Sequence, residues 1–62
     1  MRNDKKEPYR IAVEAVERLL IDKALERTFG NQLKAAKILG INRNTIRTKI
    51  KKFGIKVEKW KL

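Results

Sequence analysis

The stretch from residue 31 to residue 54, NQLKAAKILGINRNTIRTKIKKFG, carries the strongest constraint on the fold of this chain. Gly40 suits the left-handed backbone that ends many helices, and Asn42 is a preferred N-cap for a helix that starts directly after it. The spacing therefore predicts one helix over about 31–39 and a second over about 42–53, joined by a tight turn.

Small and apolar residues in the same stretch predict how these two helices pack. The side chains of Ala35 and Ala36, one turn before the first helix ends, are small enough to let a second helix cross closely. Ile41, in the turn, is expected to plug the angle between the helices. After the turn, one buried stripe recurs at helical spacing: Ile46, Ile50 and Phe53. The stretch is thus predicted to be a helix-turn-helix.

The second helix of this unit opens with side chains suited to reading duplex DNA. Arg forms bidentate hydrogen bonds to the acceptors of guanine, and Asn forms a bidentate pair with adenine. Thr hydroxyls and free backbone N–H groups suit phosphate oxygens. A recognition helix reads base edges with its N-terminal residues. The expected base contacts are Asn42, Arg43, Asn44 and Arg47. The expected phosphate contacts are Asn31, Gln32, Lys34, Thr45, Thr48, Lys49, Lys51 and Lys52. A solvated basic surface helix explains the lysines equally well, but not this polar N-terminal cluster.

The charge of the chain is segregated between its two halves. Residues 1–30 hold 7 Lys or Arg against 6 Asp or Glu, which gives +1, whereas residues 31–62 hold 10 against 1, which gives +9. A solvated surface usually mixes both signs, so the asymmetry indicates a polyanionic partner for the second half. Affinity for such a partner should fall steeply with salt.

The run GNQLKAAKILGINRNTIRTKIKKFGI resembles the Fis-type DNA-binding module, which also ends many NtrC-class activators of sigma-54 transcription. The likeness extends from Tyr9 to about Lys56. It rests on the pairs GN at 30–31 and AA at 35–36, on LGINRNT at 39–45, and on the ending KIKKFG.

This resemblance implies roles for matching residues. Those matching Asn42 and Arg43 contact bases, and the one matching Asn31 faces phosphate from a helix start. Those matching three further residues or their neighbours meet the DNA backbone: Thr45, Arg47 and Lys49. Two positions depart from the pattern of the nucleoid protein: Thr48 replaces a basic residue that helps to read the site, and Leu19 replaces a helix-kinking proline.

A long helix is predicted over Tyr9 to Thr28 and should be closed by Gly30. Its later apolar face is expected to form the core with residues of the helix-turn-helix: Ile21, Ala24, Leu25 and Phe29 against Leu33, Ala36, Leu39, Ile46 and Ile50. Its earlier face should have no partner within the chain: Tyr9, Ala12, Val13, Val16, Leu19 and Leu20. Because an exposed apolar stripe is a liability on a monomer, we expect a symmetric homodimer with this face as its seam. The alternative is a stripe covered by a folded-back first turn.

The predicted architecture is therefore an all-α, three-helix domain, in which a long dimerisation helix precedes a helix-turn-helix. Residues 1–8 are expected to be a frayed start or linker remnant, 9–30 the dimerisation helix, 31–55 the DNA-binding unit and 56–62 a tail. Such a dimer should bind inverted half-sites about one helical turn apart or less. We expect the chain to be the DNA-binding domain of an NtrC-class activator, because it lacks the helix that precedes this module in Fis-like proteins. The alternative is a stand-alone Fis-like nucleoid protein that bends DNA.

Other functional classes lack the required residues. The sequence has no His or Cys, no Gly-rich phosphate loop and no metal-ligand spacing, so no enzyme, cofactor or small-molecule ligand is expected. The acidic residues of the long helix should form surface pairs along it, as Glu14 does with Arg18 in this prediction. The absence of a long apolar run or a signal-peptide pattern predicts a cytoplasmic chain without a membrane span.

Three alternatives remain from the sequence. A cationic amphipathic membrane binder should place its aromatic residues along one apolar helix face, whereas Trp60 lies beyond the break at Gly54. Binding to structured RNA would use the same basic surface without preferring a palindromic duplex. Trp60 itself is expected to cover the core by packing against the end of the third helix or the first helix of a partner, with stacking on a base as the alternative.

Overall fold

The computed structural model describes the backbone of residues 2–60 and the side chains of residues 7–60. Along the chain, α1 spans Arg2–Arg27, α2 spans Gln32–Leu39 and α3 spans Arg43–Phe53, followed by a C-terminal 3₁₀ turn at Val57–Trp60. No strand occurs within residues 2–60. The prediction of an all-α, three-helix domain is confirmed.

The first helix begins at Arg2, earlier than the predicted start at Tyr9, and Pro8 lies inside it. A proline inside a helix removes one backbone hydrogen bond and is usually disruptive. Across Pro8, Nη2 of Arg10 donates to both carboxylate oxygens of Glu7, at 2.6 and 2.7 Å. This hydrogen bond raises the pKa of Arg10, and the pair links the turns on either side of the proline.

All three helices end in the same backbone motif, in which a left-handed residue is followed by a residue whose N–H reaches back into the helix. Ile41 donates to the carbonyl of Ala36 at 3.0 Å after α2, and Ile55 donates in the equivalent way after α3. After α1, the N–H of Gly30 donates to the carbonyl of Leu25 at 2.8 Å.

The left-handed position at the end of α1 is filled by an aromatic residue. Gly40 and Gly54 occupy this position in α2 and α3, with φ of 71° and 65°, whereas α1 has Phe29 there with φ of 56°. The predicted closure of α1 by Gly30 was therefore wrong by one position. Gly30 is the following residue, and it also has a positive φ of 82°.

The core forms where the end of α1 crosses the two helices of the helix-turn-helix. Its buried members are Ile21, Ala24, Leu25, Ala35, Ala36, Ile46 and Ile50. The small residues at the crossing are almost inaccessible, as predicted, and Ile41 and Leu39 pack against the cluster. The prediction was wrong for Phe29 and Leu33, which are 76% and 46% exposed. Phe29 lies past the last helical turn, where the left-handed backbone directs its side chain away from the stripe.

The N-terminal part of α1 projects beyond this core. A helix of 26 residues is about 39 Å long, and the molecule measures 46 Å along its longest axis. The predicted early face is left uncovered, since Tyr9, Val13, Val16, Leu19 and Leu20 are 38 to 74% exposed, and Ala12 is exposed as well. Ile11, 61% exposed, lies outside the predicted face. The apolar early face of α1 is therefore left open to solvent by the side chains of residues 7–60.

The C-terminal 3₁₀ turn folds back onto the end of α1. Trp60 is half-buried and packs against the core, as does Val57. A Cβ added at Gly30 would lie 3.4 Å from both the Cβ of Trp60 and the carbonyl oxygen of Val57, so the chain passes closely over this glycine. Trp60 thus packs against the core as expected, and its Cβ lies beside the end of α1 of its own chain.

Candidate nucleic-acid interface

Asn42 holds the start of α3 in place. Its extended backbone, with φ of −72° and ψ of 146°, makes it the N-cap, and its Oδ1 accepts a hydrogen bond from the N–H of Asn44 at 2.7 Å. The expected fork onto adenine uses both the oxygen and the amino group of an Asn side chain. Because the cap takes one of the two lone pairs of the oxygen, the NH₂ group of Asn42 is the part of its side chain that the cap leaves entirely free.

The start of α2 is built in the same way. The Oδ1 of Asn31 accepts from the N–H of Lys34 at 3.0 Å, which leaves the NH₂ group of Asn31 as a donor suited to phosphate. The hydroxyl of Thr28 lies 3.0 Å from the carbonyl oxygen of Ala24 and 3.1 Å from that of Asn31. Thr28 thereby ties the end of α1 to the start of α2.

The outer surface of α3 has two sides. On one side, Arg47 and Lys51 line a shallow groove with Gln32 of α2 and with Lys56. On the other side, a second shallow surface is formed by five neighbouring polar residues: Asn44, Thr45, Thr48, Lys49 and Lys52. Arg43, in the first turn of α3, is exposed, as are Asn31 and Lys34. The structure thus brings Gln32 and Arg47 together from different helices.

The hydroxyl of Thr48 is already used within α3. It donates to the carbonyl of Asn44 at 3.0 Å. A phosphate oxygen accepts hydrogen bonds but cannot donate one, so the expected phosphate contact of Thr48 requires its hydroxyl to release this bond. In this conformation, Thr48 presents its methyl group and an acceptor oxygen to an approaching ligand.

Three acidic residues of α1 pair with lysines from the second half of the chain, whereas Glu7 pairs with Arg10 along the helix. Nζ of Lys52 lies 2.9 Å from Glu14 Oε2, Nζ of Lys49 lies 3.2 Å from Glu17 Oε1, and Nζ of Lys59 lies 3.5 Å from an oxygen of Asp22. The expected pairing of Glu14 with Arg18 along α1 was wrong. The hydrogen bond from Lys52 lowers the pKa of Glu14 and outweighs the opposing effect of its partial burial.

Two parts of this surface escaped the sequence analysis. Lys56 was assigned to the tail, yet it lines the groove with Arg47 and Lys51. The ion pairs of α1 were also missed, although Glu14 and Glu17 continue the spacing of the buried residue Ile21 at steps of three and four residues. That spacing was a usable signal, because residues so spaced share one face of a helix.

Within residues 2–60, no helix is both long enough and apolar enough to cross a membrane. The same part of the chain holds no group of three or more His, Cys, Asp or Glu placed to bind a metal ion.

The crossed pair α2 and α3, capped by asparagines and carrying an exposed polar and basic third helix, places the protein in the helix-turn-helix class. The family model described as "Bacterial regulatory protein, Fis family" matches residues 12–53. The chain belongs to this family, which confirms the resemblance found in its sequence.

Curated relatives carry the name "DNA-binding protein Fis". The relative from Aliivibrio fischeri (strain MJ11) is 47% identical over 47 residues, which cover 76% of this chain and 48% of the relative. The relative from Glaesserella parasuis serovar 5 is 42% identical over 52 residues, covering 84% of this chain and 53% of the relative. The chain thus spans about half the length of these relatives. No solved structure matches the chain significantly.

Proposed function

We propose that this chain binds duplex DNA as a homodimer, with α3 of each copy in the major groove. The observation that carries the proposal is the exposed N-terminal turn of α3, where Arg43, Asn44 and Thr45 follow the capping Asn42 on a surface rich in Lys and Arg. Side chains at the start of a recognition helix read base edges, and the flanking basic residues bind phosphates.

In this proposal, the bases are contacted from the start and middle of α3: Asn42, Arg43, Asn44 and Arg47. Phosphates are contacted from both helices of the unit: Asn31, Gln32, Lys34, Thr45, Thr48 and Lys51. Lys56 joins the second set because it shares a groove with Gln32 and Arg47. In this proposal the protein acts at the bacterial chromosome, within the cytoplasm.

The exposed early face of α1 is the proposed dimer seam. It offers apolar side chains over three turns, from Tyr9 through Val16 to Leu20, and no described side chain covers them. A twofold-symmetric dimer reads an inverted repeat, whose half-sites lie about one helical turn apart. If the two copies of α3 lie closer than that, the DNA must bend, at a cost of about 1–6 kcal/mol.

For the role of the parent protein, the curated relatives support the Fis-like nucleoid protein better than the NtrC-class activator expected from the sequence. They carry the Fis name and are 42 to 47% identical over the matched region. We therefore adopt the Fis-like alternative, with DNA bending as part of the proposed activity.

The test measures fluorescence anisotropy of two labelled probes, an inverted-repeat duplex selected from a random pool and an RNA hairpin of equal length, and circular dichroism of the chain with vesicles that contain anionic lipid. We expect a helical circular dichroism spectrum in buffer alone and preferential binding of the duplex, with affinity that falls as salt rises. Equal affinity for the hairpin would indicate RNA binding. Helix formation only with vesicles would indicate a membrane-active chain.

A further inference from the structure

The contact between α1 and α3 has two chemically different parts. Toward the end of α1 it is apolar and includes the buried residues Ile21 and Leu25. Toward its start it is ionic: between residues 7 and 20, only Glu14 and Glu17 are shielded from solvent to an intermediate degree, and both contact lysines of α3. Among residues 7–60, α1 and α3 are therefore joined beyond the apolar core by these two ion pairs.

Lys49 and Lys52 differ in their surroundings from the other basic residues of α3. The side chain of Lys49 is 29% exposed and lies against Glu17. Lys52 is exposed, as are Lys51, Arg43 and Arg47, and it differs from these three by its ion pair with Glu14. The Nζ atom of Lys52 lies 2.9 Å from Oε2 of Glu14 and 5.8 Å from the centre of the Phe53 ring. To reach a phosphate, either lysine would have to leave a carboxylate behind, close to a polyanion.

The two carboxylates lie on a helix that performs a second task. Glu14 and Glu17 alternate along α1 with Val13 and Val16, which lie on the exposed apolar face. Helix residues advance by about 100° per position, so each glutamate projects about 100° around the helix from the valine directly before it. A connection at Glu14 and Glu17 therefore fixes α3 relative to that apolar face.

We propose that Lys49 and Lys52 are positioning residues: their ion pairs with Glu17 and Glu14 set the orientation of α3 on α1, and they do not serve as phosphate contacts. This replaces the phosphate role expected for both lysines from the sequence. The inference rests on the proposed function, because an orientation of α3 matters only if α3 enters a groove. Each pair is too exposed to add more than a small contribution to stability, so its main effect should appear in DNA binding.

The test exchanges the charges of one pair. Glu14→Lys with Lys52→Glu keeps the net charge and rebuilds the pair in reverse. The matched control, Glu26→Lys with Lys52→Glu, has the same net charge, but Glu26 forms no ion pair among residues 7–60. Circular dichroism at the assay temperature verifies that each variant is folded, and anisotropy with the selected duplex gives its Kd.

We expect the exchange to bind within about threefold of the wild type, and the control to bind roughly tenfold more weakly, as is usual for the coupling of residues in contact. Equal losses in both variants would overturn the proposal, because a lysine that contacts phosphate cannot be replaced by glutamate whatever faces it. The corresponding exchange of Glu17 with Lys49 tests the second pair in the same way.

Neutral variants keep the proposal open to refutation if charge reversal prevents folding. Lys51→Gln should lower the slope of log K against log salt by about 0.9, as expected for one lost phosphate contact. Lys52→Gln should weaken binding and leave that slope unchanged. A slope that falls equally in Lys52→Gln would show that Lys52 contacts phosphate. A wild type that binds no duplex would refute the proposed function itself, which separates that failure from a failure of the positioning role.

Discussion

The side chain of Asn42 accepts a hydrogen bond from the backbone N–H of Asn44 at 2.7 Å, so a residue proposed to contact a base is also the N-cap of the recognition helix. The cap takes one lone pair of the amide oxygen, and the NH₂ nitrogen has no partner in the cap and can donate to a base. The two tasks are therefore separable by a substitution that changes only the nitrogen.

Asn42→Asp keeps the shape and the capping oxygen, removes the NH₂ donor and adds a negative charge that the control at Asn31 also adds. We expect stability to change by a few tenths of a kcal/mol at most, because Asp and Asn are equally good caps. The ratio of affinities for the selected duplex and for random DNA should fall roughly tenfold. Asn31→Asp is the matched control at the other cap, and it should weaken binding to both DNAs alike. A similar change in the ratio for both variants would contradict the base contact.

Arg43→Ala tests the proposed guanine contact. The variant should lose about 1–3 kcal/mol of binding free energy on the selected duplex and less on random DNA, with a relaxed preference at one base pair. Anisotropy titrations on both DNAs measure the difference. Lys34→Ala, which removes a proposed phosphate contact on α2, serves as the control and should weaken both complexes equally. If Arg43→Ala loses the same binding free energy on the selected duplex and on random DNA, Arg43 contacts phosphate instead of a base.

Phe29→Gly tests the strain at the end of α1. The left-handed conformation costs a residue with a side chain about 1–2 kcal/mol, and the added freedom of glycine in the unfolded chain offsets part of that gain. Since the Phe29 ring is 76% exposed, its removal loses little burial. We expect the free energy of unfolding to rise by up to about 1 kcal/mol, measured by denaturant titration.

Gly40→Ala provides the comparison for Phe29→Gly. Gly40 has φ of 71°, and a Cβ there would meet no atom within 4 Å, so the change tests backbone strain alone. This variant should lose about 1–2 kcal/mol of stability. A Phe29→Gly variant that is also less stable would mean that the exposed ring makes a stabilising contact.

The pair of Glu14 and Lys52 predicts a dependence of stability on pH. Because the hydrogen bond from Lys52 lowers the pKa of Glu14 in the folded state, the contribution of the pair is present above the ordinary carboxyl pKa, about 4.3. It is lost as the pH falls through the lowered pKa of the folded state. Thermal melts should therefore show that the difference in Tm between the wild type and Lys52→Gln shrinks from about pH 5 downward. A difference that stays constant down to the acid limit of folding would rule out this linkage.

Much of the fold follows from local signals in the sequence. Gly40 and Asn42 fix the turn, and the spacing of Ile46 and Ile50 identifies the buried side of α3, as the structure shows. Phe29 could not be placed in this way, because a left-handed residue at the end of a helix breaks the periodicity on which the prediction depends. Leu33 has the helical spacing of buried Ala36, yet it lies in the first turn of α2 and is 46% exposed. The start of α1 was misplaced for a related reason: proline usually marks a helix beginning, and here the helix continues through Pro8.

The site was less predictable than the fold. Sequence spacing shows which side chains share a helix face, and it identified the exposed cluster after Asn42. It does not show which residue of a distant helix meets that face. Glu14 and Lys52 are 38 positions apart, and only the crossing of α1 and α3 brings them to 2.9 Å. The second use of Asn42, as a cap with a committed oxygen, likewise requires atomic positions.

Analytical ultracentrifugation of the chain with the selected inverted-repeat duplex tests the central claim most directly. We expect two chains per duplex, and a monomeric chain for Val16→Glu, whose new charge would lie on an apolar face that is already exposed and so leave the fold of one copy intact. The wild-type result would establish paired recognition helices on a twofold site. One chain per duplex, with the same sedimentation for Val16→Glu, would contradict the dimer seam on α1.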